Sequence, residues 1–313
     1  MLQTLGLYRG QERIGSGIAD HLIMKRVVTI LLVPLIVLFT SVLCIGWILG
    51  RPVQTKIGNP PTDLHVESVE FQSDSGATVN GWWCPVDHSQ SVILLLPGIR
   101  ANRLSMLDRA RFLRRAGHST LLIDLQATGE TKGEHITFGW KESRDVLAAV
   151  DFIHNVRPSD RIGVIGSSLG GAAALLAAPS LKINALVLES VYPTIKIAVQ
   201  NRVDNYLGPI ASRFISPLLL WQLKPRLAIS ASDLRPLDHI ATVGCPTFVI
   251  SGENDRHTTR MDTIALFSRA QSPKRLWLVA KAGHVDLHVA ATGEYESRVL
   301  SFFEETVTND RAE

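Results

Sequence analysis

The sequence predicts an α/β protein whose mostly parallel sheet carries helices on both faces, preceded by one membrane-spanning helix. Three observations predict it. Short apolar runs such as Ser91–Leu96, His118–Leu125 and Arg161–Gly166 alternate with segments of helical spacing, the pattern of a parallel sheet buried on both sides. One of these runs ends in Gly166-Ser167-Ser168-Leu169-Gly170, a G-x-S-x-G pentapeptide that passes at once into the small-residue run Gly171–Ala178. Finally, Val27–Leu49 holds no charged residue over 23 positions.

That charge-free run exceeds the roughly 20 apolar residues needed to cross a bilayer, and Trp47 and Arg51 stand where interfacial anchors belong. It is longer than the usual core of a signal peptide, and no small-residue cleavage site follows it. Residues 1–26 are polar and mixed in charge, and little fixed structure is expected there. Arg9, Arg13, Lys25 and Arg26 precede the helix, against Arg51 and Lys56 after it. This bias places the N-terminus in the cytoplasm and the large domain outside it. A linker over residues 50–64 is marked by Pro52 and Gly58-Asn59-Pro60-Pro61.

The globular domain takes residues 65–313. Val66–Phe71 alternates as a half-buried strand, Ser73–Gly76 supplies a turn, and Thr78–Trp83 returns as the second arm of a hairpin. Strands follow at Ser91–Leu96, His118–Leu125, Arg161–Gly166, Ala185–Glu189, Thr247–Ser251 and Arg275–Ala280. Helical spacing occupies Asn102–Ala116, Phe138–Val156, Met261–Ala270 and Glu294–Glu305. One segment breaks the alternation. Residues 191–240 are apolar in patches, with Pro217 and Pro225 as breaks. A structureless loop of that length is uncommon, so a helical lid insertion over the carboxyl ends of the strands is expected.

Composition excludes several functions. At 46% hydrophobic and 19% charged residues the chain can bury a sizeable core. A net charge of +3 without a basic cluster argues against a nucleic-acid partner. Cys44, Cys84 and Cys245 lack C-x-x-C spacing, which argues against a zinc site and a disulfide-stapled fold. A single Cys84–Cys245 bridge stays open. No metal or organic cofactor is implied.

The chemistry starts from Ser168. A serine on a tight strand-to-helix turn has its Oγ lifted out of the fold, with the helix N-terminus behind it for a developing oxyanion. A nucleophilic serine needs a base, and the base needs an orienting carboxylate. Sites in such sheets lie past the carboxyl ends of the strands. Gly252-Glu253-Asn254-Asp255 follows one strand and Lys281-Ala282-Gly283-His284 the last. Asp255, with Glu253 as the alternative, would hold His284, with His257 and His288 as competitors. The oxyanion hole would draw on the N–H groups of Leu169 and of Ile99, in the loop Pro97-Gly98-Ile99-Arg100.

Taken together these residues resemble the α/β-hydrolase superfamily, over about Val66 to Glu305, and in particular its membrane-anchored serine-hydrolase branch. Asp124-Leu-Gln-Ala-Thr-Gly-Glu-Thr131 resembles the D-x-R-G-x-G-x-S loop of that branch. Cys245–Gly252 followed by Asp255 resembles the strand that carries the acid, and Gly283-His284 the histidine loop. Pro97-Gly98 replaces the usual His-Gly, and Gln126-Ala127 the usual Arg-Gly. The resemblance implies the α/β-hydrolase fold and hydrolysis of a small-molecule or lipid-like acyl ester through Ser168, His284 and Asp255. The same triad also serves aminopeptidases and thioesterases, and a catalytically silent, membrane-tethered binding module is the reading from another class.

Overall fold

The computed structural model describes residues 4–178 and 180–308. It divides into an N-terminal helical unit up to Ile48 and a compact unit from Leu49 onward. The N-terminal unit consists of helix α1 (Thr4–Gly50) up to Ile48, and the helix starts well before the charge-free run. Little fixed structure was expected before residue 27. The segment contains no proline to stop a helix, so the helical path extends through it. Within α1, Met24–Gly50 is long and apolar enough to cross a membrane, with a mean hydropathy of 2.8.

The compact unit is built on eight strands: β1 Glu67–Gln72, β2 Thr78–Cys84, β3 Ser91–Leu96, β4 Ser119–Ile123, β5 Arg161–Ser167, β6 Ala185–Glu189, β7 Thr247–Gly252 and β8 Lys274–Val279. Their order across the sheet is β8-β7-β6-β5-β3-β4-β2-β1. β2 runs antiparallel to both β1 and β4, and every other pairing is parallel. The hairpin therefore sits at one edge, as expected.

Alternation along β3 shows why its residues are all apolar. Val92, Leu94 and Leu96 point into one buried cluster, together with Val146 and Val150 of α3 (Glu142–Val156) and Ala173 of α4 (Leu169–Ala177). Ile93 and Leu95 point into the other, with Phe112 of α2 (Leu107–Arg115) and, near the C-terminus, Val299 and Phe303. A strand covered on both faces has no polar side to show.

Helix α3 starts four residues later than its spacing suggested. The Glu142 carboxylate accepts the N–H groups of Thr137 and Gly139 and the Thr137 hydroxyl. This wraps residues 137–139 around the helix start, and Phe138 and Gly139 both take positive φ. Residues 50–57 are also not slack. Gly50 O accepts Ile136 N–H at 2.9 Å, and Val53–Gln54 forms a short parallel ladder with Thr128–Gly129.

Between β6 and β7 the chain folds into α5 (Ile195–Trp221), α6 (Leu223–Leu227) and α7 (Pro236–His239). The break falls at Gly208, with φ 81°, followed by Pro209 at the start of a new helical run. Pro217, read as a break, lies inside α5, and Pro225 inside α6. Two backbone hydrogen bonds close the neck of this insertion: Ile195 N–H to Leu234 O and Leu237 N–H to Pro193 O, each 2.9 Å. The remaining helices are α8 (Arg260–Arg269), α9 (Leu287–Ala290) and α10 (Thr292–Phe303).

Candidate active site

Ser168 lies between the end of β5 and the first turn of α4, with φ 46° and ψ −104°. Such a backbone is strained for a residue with a side chain. The flanking glycines are required by space. A Cβ on Gly166 would meet Gly171 Cα at 2.5 Å, and one on Gly170 would meet Leu96 O at 2.5 Å. The turn is held by the Ser168 N–H, which donates to Glu189 O at 2.7 Å. Leu169 opens α4, so its N–H has no acceptor within the helix. The loop after β3 comes alongside: a Cβ on Gly98 would stand 3.8 Å from Ser168 Cβ. Ile99, the other expected N–H donor, is the next residue.

The acid and histidine loops are brought together by close backbone approach. A Cβ on Gly252 would strike Gly283 O at 2.4 Å, which only glycine avoids. Asn254 N–H donates to Ala282 O at 2.8 Å. Across this junction His284 Nδ1 lies 2.7 Å from Asp255 Oδ2. Asp255 is buried and accepts three further hydrogen bonds: from His257 N–H (2.7 Å), Thr258 N–H (2.9 Å) and the Thr258 hydroxyl (2.6 Å). Burial pushes its carboxyl pKa up. The hydrogen bond and charge of His284 and the two bonds from Thr258 outweigh burial and hold it below its ordinary value.

The competing residues have other places. Glu253 is exposed and accepts the Lys281 N–H. His288 pairs with Glu296 at 2.9 Å and stacks on Phe112. His257 lies edge-on to His284, with ring centres 5.2 Å apart. Burial first, then the charges of Arg202 and His284, lower its pKa, so it favours the neutral form. Helix α5 reaches these loops. Asn201 Nδ2 donates to His257 O at 3.1 Å, and the Tyr206 ring lies 6.0 Å from that of His257.

Sequence reasoning missed a buried ionic cluster behind the site. Arg109 donates to both oxygens of Glu189 (3.0 and 2.7 Å) and both oxygens of Asp286 (2.9 and 3.1 Å). The Tyr295 hydroxyl also bonds to Glu189. Burial opposes the Arg109 charge, but Glu189 and its other partners hold the guanidinium pKa well above its usual value. Asp286 has a structural role: it also caps α9 by accepting from His288 and Val289 N–H. Its pKa is lowered, because Arg109 outweighs burial.

The Asp124–Thr131 loop is internal scaffolding. Asp124 accepts N–H groups from Arg103 and Glu130, and a Cβ on Gly129 would lie 2.2 Å from Asp124 Oδ2. Cys84 and Cys245 are free thiols, pushed up by burial to about 11 and about 12. Among the described residues no cluster of His, Cys, Asp and Glu side chains is arranged to hold a metal.

Among known proteins, the chain is 23% identical over 255 residues to the uncharacterized protein YfhR of Escherichia coli O157:H7, covering 77% of this chain and 82% of that one. It is 22% identical over 240 residues to the uncharacterized protein YqkD of Bacillus subtilis, covering 73% and 76%. The esterase Pf2001 of Pyrococcus furiosus superposes with a TM-score of 0.69 at 23% identity, over 83% of this chain and 98% of that one. The esterase EaEST of Exiguobacterium antarcticum superposes at 0.57 with 13% identity, over 76% and 100%. At such identities the superpositions speak for the fold. The model of the alpha/beta hydrolase family matches residues 93–297, a span that takes in the Ser168 turn, the Asp255 loop and the His284 loop, and the chain is a member of that family.

Proposed function

We propose that the protein is a membrane-anchored serine hydrolase that cleaves acyl esters. The observation that carries the reading is the Asp255–His284 pair at 2.7 Å in the same fold as a serine on a strained strand-to-helix turn. In this reading His284 Nε2 takes the Ser168 proton as Oγ attacks the acyl carbonyl. Asp255 holds Nδ1–H, fixing the tautomer and balancing the imidazolium that forms. The N–H groups of Leu169 and Ile99 receive the negative charge of the tetrahedral oxygen. His284 then returns the proton to the leaving alcohol, leaving an acyl-Ser168. Water, giving its proton to His284, releases the acid and restores the serine.

Several features support the finer points. Esterases stand among the structural neighbours, which favours an ester over an amide. The insertion between β6 and β7 reaches the acid loop through Asn201 and Tyr206, which favours a lid. The apolar stretch Met24–Gly50 favours a single membrane span, and the basic residues before it favour a domain outside the cytoplasm. A lipid-like acyl group suits both lid and anchor.

The test is a ladder of p-nitrophenyl esters, from acetate to palmitate, given to the full chain in detergent with Ser168→Ala beside it. Turnover that vanishes in the variant, with fluorophosphonate labelling of the wild type alone, is the expected result. Turnover of amino-acyl anilides without esters would make it a peptidase. Neither labelling nor turnover would leave a silent binding module.

A further inference from the structure

The second half of α5 turns a row of large apolar side chains to the outside. In a helix of a water-soluble domain the apolar stripe faces the core and the polar side faces water. Along residues 209–221 the residues turned outward are Ile210, Phe214, Pro217 and Trp221, spaced four, three and four apart, which is one stripe of a helix. Their exposures are high: 80% for Ile210, 67% for Phe214 and 59% for Trp221. The side turned inward carries Ser212 and Ser216, both buried and hydrogen-bonded to each other at 3.0 Å, and Leu220, which packs on the core. Tyr206 and Leu207, just before the Gly208 kink, are exposed as well. Scattered exposed apolar residues are ordinary, but a continuous stripe of this size marks a surface with a partner.

The charge beside the stripe indicates which partner. Arg213 and Lys224 are exposed beside it, and no acidic residue occurs between Asp204 and Asp233. Apolar and aromatic side chains edged by basic ones are the composition of a helix lying in the headgroup region of an anionic bilayer. The chain also supplies the bilayer in its own span. Gly50, the last residue of α1, lies in the compact unit, where its carbonyl accepts the Ile136 N–H.

We propose that the outward face of residues 209–221 docks into the surface of an anionic lipid bilayer, with Ile210, Phe214 and Trp221 among the acyl chains and Arg213 and Lys224 at the phosphates. The proposal rests on the reading of Met24–Gly50 as a membrane span, and it adds a second, peripheral contact to that reading. In such a pose the insertion meets lipid directly, so an acyl substrate can enter from the membrane rather than from water.

The experiment uses the full chain with Cys44→Ser and Cys245→Ser, reconstituted in phosphatidylcholine vesicles with and without phosphatidylglycerol. A nitroxide is placed by Phe214→Cys or Ile210→Cys, and at the exposed position Asp151→Cys on α3 as reference. Collision with oxygen, which favours lipid, is compared with collision with a water-soluble nickel chelate. The expected result is a severalfold higher oxygen-to-nickel ratio at 214 and 210 than at 151, increased by phosphatidylglycerol. A ratio at 214 and 210 equal to that at 151, in a chain that resists carbonate extraction, overturns the docking while leaving the span intact. Dipolar broadening at 214 would reveal a second copy on this face and overturn it too. A chain that carbonate strips from the vesicles overturns the spanning reading itself, and the docking with it.

Discussion

The carbonyl oxygen of Glu189 accepts the N–H of Ser168 at 2.7 Å. The carboxylate of the same residue grips Arg109, which in turn clamps Asp286, two residues beyond His284. One side chain thus ties the serine turn on β5 to the histidine loop after β8, across the two intervening strands β6 and β7.

Arg109→Met should leave Glu189 as a buried, uncompensated charge. Breaking one side of such a pair typically costs about 3–5 kcal/mol, to be read from urea unfolding. Asp286→Asn is the gentler variant, since asparagine caps a helix as well as aspartate. It should keep the melting temperature within a few degrees and lower kcat about tenfold with KM unchanged. A shift in KM alone would show that the clamp does not position His284.

The strained backbone at Ser168 gives a prediction about stability. An L-residue in such a conformation costs roughly 1–3 kcal/mol, and glycine escapes this at an entropic cost of about 0.4–1 kcal/mol. Both Ser168→Ala and Ser168→Gly should lose turnover. Ser168→Gly should be the more stable of the two by about 1 kcal/mol, measured by denaturant unfolding.

Thr258 is the residue that completes the Asp255 shell. Thr258→Val keeps the shape and removes the hydroxyl donor at 2.6 Å. Losing a hydrogen bond to a charged group costs about 1.5–3 kcal/mol. A carboxyl held below its ordinary 3.8 stabilises the fold above that pH, and the contribution is lost as pH falls through the folded value. The variant should therefore unfold at a higher pH on acidification. On the proposed mechanism its kcat should fall about tenfold, because His284 is less firmly oriented.

His118 is buried, with Nδ1 2.6 Å from Ser91 Oγ, and burial lowers its pKa below 6.5. Between the folded value and 6.5 the unfolded chain carries the extra proton, so stability rises with pH there and is lost as pH falls below 6.5. The slope from one proton is at most about 1.4 kcal/mol per pH unit. His257, also lowered, acts in the same direction. His118→Gln should flatten the curve below 6.5 without abolishing it, as read by thermal melts across pH.

The features legible in the sequence were those written locally. The glycines around Ser168 are needed by contacts within five residues or with the adjacent strand, and the apolar runs announce strands covered on both sides. The pairing of Asp255 with His284 was legible because each follows the carboxyl end of a parallel strand. The Arg109 cluster was not, since its partners lie 80 and 177 residues away and nothing local marks them. The start of α3 was misjudged because Glu142 captures the preceding turn, a tertiary choice that periodicity cannot express. In the insertion the sequence places breaks at Pro217 and Pro225, which lie inside α5 and α6, and the kink falls instead at Gly208, whose positive φ no other residue would adopt as easily.

The neck formed by Pro193, Ile195, Leu234 and Leu237 has one more consequence. The chain leaves the sheet at one strand, returns at its immediate neighbour, and is stitched shut where it does so. Beyond the stitch the exposed stretch around Gly208 can lengthen or shorten at an entropic cost that grows by only about 0.6 kcal/mol per doubling of length, while Ile195, Ala198, Leu223 and Ile229 keep the insertion packed on the core. Residues 195–234 are in this sense an exchangeable cassette: a graft from another hydrolase, joined at the same two hydrogen bonds, can change which molecules reach Ser168 while the strands beneath keep their register.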